Sequence, residues 1–418
     1  MDEKARVLYI SYDGMTDPLG QSQVIPYLAG LSHKGYRIHL LSCEKKKRFA
    51  QHQGQVYELL NKAGITWHPI SYTSRPPVVS TLYDIQRLLT ASRRLHKKYG
   101  FALVHCRSYI AAFAGLYLKK QQGVRFVFDM RGFWADERVE GGIWNIKNPV
   151  YRVIYKYFKR KEREYLLRAD HVITLTEKAK QLIQTHFGLH NKTPEISVTP
   201  CCADTQFFSE NNIDHAEKVA LARQLKITHD DLIITYSGSL GTWYMLDEML
   251  DFFKQLSAVF PAAKFLIITH DNPEKIFTKA KIKNIDTEKI VIHQAFYKQM
   301  PLALSLTKIA LFFILPVYSK QASSPTKMGE IMSMGIPFIT NSGVGDVDAF
   351  VEKTGTGLLV KDFTDNSYKE TIAKIPVLLN ADAAKIRRAA LEEYSLDYGI
   401  SVYYKVYERL TATPNPQS

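Results

Sequence analysis

A chain of 418 residues, 46% hydrophobic and 23% charged, has the composition of a soluble globular protein and the length for two or three domains with full cores. The net charge of +14 points to anionic partners, whether phosphates, anionic lipid or nucleic acid. Four cysteines without a C-x-x-C, and histidines without an H-E-x-x-H, argue against a disulfide framework and a protein metal site, so a reducing compartment and no metal are expected.

The N-terminus runs from charged residues into a strand-like stretch with no signal-peptide core, and the most apolar segment, 309–318, is about half the length that spans a bilayer. The expected localisation is therefore cytoplasmic, with room for a peripheral contact at the inner face of the membrane. Val7–Ser11 reads as a buried strand, followed by a breaker-rich loop from Asp13 to Gln23 and a helix. Strands at 37–43, 65–72, 102–107, 125–131, 171–176 and 196–199 alternate with helices at about 49–63, 81–99, 111–120, 151–168 and 177–187. That spacing predicts a doubly wound, mainly parallel sheet. Residues 200–213 read as a linker. The alternation then restarts with strands at 232–237, 263–269, 289–295, 308–316, 337–341 and 357–360. Three helices at roughly 367–379, 381–393 and 396–410 close the chain, and the tail 411–418 is expected to fray. Two Rossmann-like halves would face each other across a central cleft, with ligands at the carboxyl ends of the strands.

The chemistry is expected first in the stretch 323–335. Ser324 reads as an N-cap with Pro325 at the first helical position, and Gly335 as the stop. A lysine in the first turn opposes the helix dipole unless an anion sits at the N-terminus. Ser324, Thr326 and Lys327 would then hold a phosphate, and Glu330, on the same face one turn deeper, would accept sugar hydroxyls. The plainer reading is an ordinary capped surface helix.

Gly238-Ser239-Leu240-Gly241 follows a strand and precedes a helix, so its backbone can approach a phosphate or nucleoside; it is not the G-x-G-x-x-G of dinucleotide oxidoreductases. The first loop occupies the matching place in the other half, where Gly20, Gln21 and Ser22 offer backbone donors and short polar side chains. Arg107 and the stretch from Asp129 to Gly142 begin at strand ends. Arg107 and Arg131 suit phosphate, and Trp134 suits stacking on a sugar. Arg107, Asp129, Trp134 and Asp136 are candidate acceptor contacts. A paired-carboxylate hydrolase built from Asp129, Asp136 and Glu137 lacks any fixed separation. The helix 151–168 carries an aromatic stripe, read as core, and a basic side that could meet an anionic membrane. Dispersed basic residues with no recognition module argue against nucleic acid.

The stretches Ser11–Val24, Phe128–Glu137, Tyr236–Tyr244 and Ser324–Pro337 together resemble bacterial group 1 (family 4) glycosyltransferases, in order and over nearly the whole chain. The resemblance implies the GT-B architecture: an acceptor-binding Rossmann-like domain over 1–204, a nucleotide-sugar-binding one over 205–395, and a helix at 396–418 crossing back to the first. It implies a retaining, metal-independent transfer from a UDP- or GDP-linked sugar to a glycan or lipid-linked acceptor, in cell-surface polysaccharide synthesis. The nucleotide sugar would be a co-substrate, with no cofactor. Lys327, Glu330 and Arg131 are the expected catalytic residues, and Gly20, Gln21, Ser22, Gly238, Ser239, Leu240, Ser324, Pro325 and Thr326 the donor contacts. The sequence departs from the family at two places. Ala322 stands where the first of two glutamates is usual, and Ser239 with Trp243-Tyr244 where an arginine and a lysine are usual. A GT-B nucleotide-sugar epimerase and a non-catalytic nucleotide-sugar-binding scaffold are the alternatives.

Overall fold

The computed structural model describes residues 4–187 and 194–412; the first three residues and most of the expected tail, 413–418, lie outside it. The chain divides into two compact units, Met1–Cys201 with Leu396–Ser418, and Cys202–Ser395.

In the first unit the strands are β1 (Arg6–Ser11), β2 (Arg37–Glu44), β3 (Thr66–Ser71), β4 (Leu103–Arg107), β5 (Arg125–Asp129), β6 (His171–Thr174) and β7 (Ile196–Val198). They form one sheet in the order β3-β2-β1-β4-β5-β6-β7, parallel throughout. β1 is buried along all but its first residue and β4 along its whole length, as expected of strands covered by helices on both faces. Chain order reverses between β1 and β4, so the loops after them flank the crevice where such sheets bind ligands.

The second unit repeats the plan with β8 (Leu232–Ser237), β9 (Ala263–Ile268), β10 (Ile290–His293), β11 (Ile309–Leu311), β12 (Phe338–Asn341) and β13 (Gly357–Val360). The order is β10-β9-β8-β11-β12-β13, again parallel, and the reversal lies between β8 and β11. Both units are Rossmann-like.

Several local expectations are corrected. The loop after β1 is helical over Pro18–Gln23, started by a proline at its first position, and the glycine-rich stretch after β5 is helical over Trp134–Glu140. β11 is three residues long, shorter than the expected 308–316, although the Phe312 N–H still donates to the Ile339 carbonyl of β12 at 3.1 Å. The helix expected over 367–379 is two, Asp365–Ile372 and Ile375–Leu379, divided ahead of Pro376, whose missing N–H and ring interrupt the ladder.

The last helix, Leu396–Ala412, belongs to the first unit, where it packs on the helix Ile25–His33. Tyr403 lies 5.2 Å, centroid to centroid, from Tyr27, and Tyr407 meets Tyr36 edge-on at 5.3 Å. The two helices approach closely at Gly30, where a Cβ would overlap the end of Ile400 and lie 2.9 Å from its Cγ1. Gly30→Val is therefore expected to destabilise the protein by about 1–3 kcal/mol through overpacking. Chemical denaturation would read this, and Ile400→Ala should restore part of the loss; additive effects of the two changes would contradict the contact.

Candidate active site

In the second unit the site grows from three chain segments. The helix Thr326–Ser333 begins one residue later than expected, with Pro325 rather than Ser324 at the N-cap, and ends before Gly335, whose φ of +71° makes the left-handed stop. It carries Lys327 inward. The side chain is buried, and its Nζ has no hydrogen-bond partner. Around the ammonium stand the rings of Tyr244, 3.6 Å to the centroid, and Tyr236, 4.0 Å. Burial pushes its pKa well below that of an ordinary lysine, and the charge of Glu330 only partly opposes this. Glu330, one turn on and half-buried, is raised to about 7 by burial against the pull of Lys327.

The second segment is the turn after β8. Gly238 has φ +125°, and a Cβ there would lie 3.1 Å from Lys327 Nζ. Only glycine adopts that backbone freely and leaves the ammonium its space. The turn is pinned on both sides: the Tyr236 hydroxyl donates to the Ser239 carbonyl at 2.6 Å, and the Leu240 N–H donates to Asp271 Oδ2 at 2.5 Å. Gly238 and Ser239 are exposed above the buried lysine. The Leu240 N–H is thus engaged within the protein, while the outward edge of Gly238-Ser239 faces solvent.

The third segment is the short 3₁₀ turn Tyr318–Ala322. Lys320, also buried, sits 3.8 Å over the ring of Trp243. Ala322 is buried at the position of the missing glutamate. Beyond Glu330 lies Tyr297, partly exposed and stacked on Phe207 at 5.2 Å; Glu330 and Asp204 add to burial in raising its hydroxyl pKa. The sequence reading named Lys327 and Glu330 but missed Lys320, Tyr236, Tyr244, Asp271 and Tyr297. The pair Trp243-Tyr244 was visible only as an absence of basic residues.

In the first unit a charged cluster stands at the carboxyl ends of β1, β4 and β5. Asp129 is fully buried: Tyr403 donates to its Oδ2 at 2.8 Å, His105 Nε2 lies 3.5 Å from the same oxygen, and Arg131 Nε lies 3.9 Å from Oδ1. Burial works to raise this carboxyl, but Arg131, His105 and Arg107 outweigh it and hold it below the usual range. Burial lowers the pKa of His105 against the pull of Asp129, and its Nδ1 lies 2.9 Å from the Tyr407 hydroxyl. Arg131 has φ +56° and bonds Cys201 Sγ at 3.3 Å. Arg107 is buried with Nε and Nη1 lacking hydrogen-bond partners, its Nε 3.7 Å from Asp13 Oδ2. Ser108, next to it, has φ +66°. The positive φ of Ser108, next to Arg107, and of Arg131 itself marks a place where packing enforces backbone strain.

The structure brings Arg107, Asp129 and Arg131 together but leaves Trp134 and Asp136 elsewhere. Asp136 is buried and bonded by Tyr155 and Lys159 at 2.8 and 2.9 Å, so both its oxygens are occupied. Trp134 is half-buried among Tyr109, Trp144 and Phe158, with Arg138 over its ring. The loop of the first unit hangs on Glu44, whose buried carboxylate accepts from Met15 N, Thr16 N, Thr16 Oγ1 and Ser42 Oγ at 2.6–3.2 Å. Gly20 presses on the Gly14 carbonyl so closely that a Cβ would collide with it, while Gln21 and Ser22 are partly accessible, Ser22 Oγ bonding the Pro18 carbonyl at 3.0 Å.

Solved structures similar to this chain share its architecture at low identity. Sucrose-phosphate synthase from Thermosynechococcus elongatus aligns at 16% identity over 98% of this chain and 100% of its own, with a TM-score of 0.74. A glycosyltransferase from Rickettsia africae aligns at 16% over 97% and 98%, TM-score 0.71. Anabaena HepE, solved with UDP-glucose, aligns at 13% over 98% and 100%, TM-score 0.67. None of the curated proteins matches the chain in sequence. The profile of Glycosyltransferase Family 4 matches residues 20–207, and that of Glycosyl transferases group 1 matches residues 218–392. With both units accounted for in order, and the fold to go with them, the chain belongs to the group 1, family 4 glycosyltransferases.

Proposed function

We propose that this glycosyltransferase moves a sugar from a UDP- or GDP-linked donor to a glycan or lipid-linked acceptor, with retention and without a metal, in the assembly of a cell-surface polysaccharide. The observation that carries the donor reading is Lys327: a buried amine with no hydrogen-bond partner, beneath an exposed glycine turn. Such a group costs stability until an anion compensates it. A diphosphate supplies that anion. Its β-phosphate gains charge as the anomeric carbon–oxygen bond breaks, which is where a preorganised cation lowers the barrier. The acceptor oxygen forms the new bond on the same face, and its proton passes to the departing phosphate oxygen, so no enzyme base is needed. Glu330 accepts hydroxyls of the donor, Lys320 adds positive potential, and the turn at Gly238 and Ser239 lets the backbone approach the nucleotide. Arg107 and Arg131 are assigned to the acceptor side.

A thermal-shift screen against UDP, GDP, ADP and their sugars tests the donor class, since a ligand bound only to the native state raises apparent stability. If no nucleotide raises the melting temperature and no donor is hydrolysed, the scaffold reading replaces this one. Exchange of sugar isomers without transfer would favour the epimerase.

Lys327→Met is expected to lower turnover by about 100-fold or more, as for loss of an oxyanion donor. Because it removes an uncompensated buried amine, the same change should raise the melting temperature of the unliganded protein. Full activity, or a fall in melting temperature, would contradict the assignment. Binding should also be linked to protons: a bound diphosphate restores the lysine's affinity for its proton, so nucleotide binding takes protons up. Calorimetry in buffers of different ionisation enthalpy measures that uptake directly.

Glu330 provides a pH test. Its pKa in the folded chain, about 7, lies above its ordinary value, so the native state is favoured while the carboxyl is protonated. This contribution is complete at low pH and is lost as pH rises through 7. Glu330→Gln should therefore melt above wild type near pH ~8.5 and converge with it near pH ~5. A difference that is the same at both would remove Glu330 as the titrating group.

A further inference from the structure

The helix Pro149–Arg168 holds itself to the first unit by one side. Phe158, Tyr165 and Leu166 are buried, and Glu162, also buried, bonds Tyr109 and Lys159. Lys159 also bonds Asp136, so the rotation of the helix about its axis is fixed. The opposite side is not a purely polar surface. Val150, Val153 and Tyr157 are 58%, 67% and 44% exposed, and at this spacing they form one stripe. In the turn leading into the helix, Ile143 and Ile146 are 55% and 43% exposed and extend the apolar area. Arg152, Lys156, Arg160 and Arg163 are exposed beside the stripe. Between Glu140 and Glu162 there is no acidic residue, while six lysines and arginines occur. The first acid on the outer side, Glu164, is already paired with Lys120 and Lys161.

The same layer continues this character. The helices Val79–Tyr99 and Ser108–Gln122 pack side by side, and the second also meets Pro149–Arg168. The first turn of Val79–Tyr99 exposes Val79, Leu82 and Tyr83 at 60%, 59% and 57%. Further along, Arg93, Arg94 and Lys97 line a shallow cavity of about 600 Å³. Exposed aliphatic side chains beside basic ones suit one kind of partner. The apolar groups enter the acyl boundary, while lysine and arginine stems lie along it with their charges at lipid phosphates. A second copy of the chain would bring two such basic faces together, against a net charge of +14. Among the described residues no helix is long and apolar enough to cross a membrane, so the contact is with its surface.

We propose that the outer face of Pro149–Arg168, with the turn at Ile143 and Ile146, docks this protein on a bilayer containing anionic lipid. The inference is independent of the donor reading, and nucleotide-induced thermal shifts serve as its control for folding. The full chain is sedimented with vesicles of phosphatidylglycerol and phosphatidylcholine, or of phosphatidylcholine alone, at low and high salt. Expected is binding to the mixed vesicles at low salt, at least tenfold weaker binding to the neutral ones, and weakening by salt. Val150→Asp with Val153→Asp should weaken binding about tenfold with the nucleotide shift unchanged. Val153→Trp should show blue-shifted emission quenched by brominated lipid.

The proposal is overturned if the protein stays in the supernatant with anionic vesicles at low salt, or if the double variant binds as well as wild type. It is also overturned if the emission of the Val153→Trp variant ignores the lipid. Light scattering that shows a dimer abolished by the double variant would assign the face to a second copy instead.

Discussion

A buried amine whose nitrogen has no hydrogen-bond partner is the constraint on which the proposed donor site depends. Lys327 stands in the first turn of its helix, where the dipole disfavours a cation. Its neighbours are two aromatic rings and a glycine turn. A cation over a ring gains about 0.5–2 kcal/mol, while withdrawing an ammonium from water costs several kcal/mol. Desolvation therefore wins, which is why the group is biased toward its neutral form. The rest follows from that imbalance. Residue 238 has to be glycine to leave the ammonium its space, Tyr236 has to hold the turn above it, and burial holds the Glu330 carboxyl up near 7 against the pull of Lys327.

The charged cluster of the first unit is built on the opposite principle. Asp129 is as deeply buried as Lys327, yet Tyr403, His105 and Arg131 surround it, so it stays ionised. The aspartate in turn helps Arg131 stay charged in a buried place and a strained backbone. Tyr403 and Tyr407 reach this cluster from the last helix, far away in the sequence. The close crossing at Gly30 lets that helix sit deep enough to supply them. Packing of the C-terminal helix and the electrostatics at the ends of β4 and β5 are thus one arrangement.

Much of this was legible in the sequence because parallel strands buried on both faces read as continuous apolar runs, and helices between them carry caps and stops. The helix at Lys327 was found by its proline and glycine, with an error of one residue at the start. Short helices inside loops were missed: Pro18–Gln23 and Trp134–Glu140 are rich in breakers or charges and too short to show a period. The partners of Asp136, Tyr155 and Lys159, lie on another helix, so its two bonds could not be read from the stretch that contains it. The outer stripe of Pro149–Arg168 escaped because attention to aromatic positions picked out the buried side, whereas Val150 and Val153 carry the exposed one.

The two departures from the family pattern look different once the rings are placed. Where an arginine and a lysine are usual after the glycine turn, Trp243 and Tyr244 lie against Lys320 and Lys327. Positive charge is therefore kept near the turn, but it arrives from the segment after β11, and the segment after β8 contributes the aromatic faces that hold it. Burial under these rings lowers the pKa of Lys327, whereas an arginine keeps its charge. At Ala322, buried where a carboxylate is usual, no negative charge is supplied, which leaves Glu330 as the acid whose charge opposes the lowering of the Lys327 pKa.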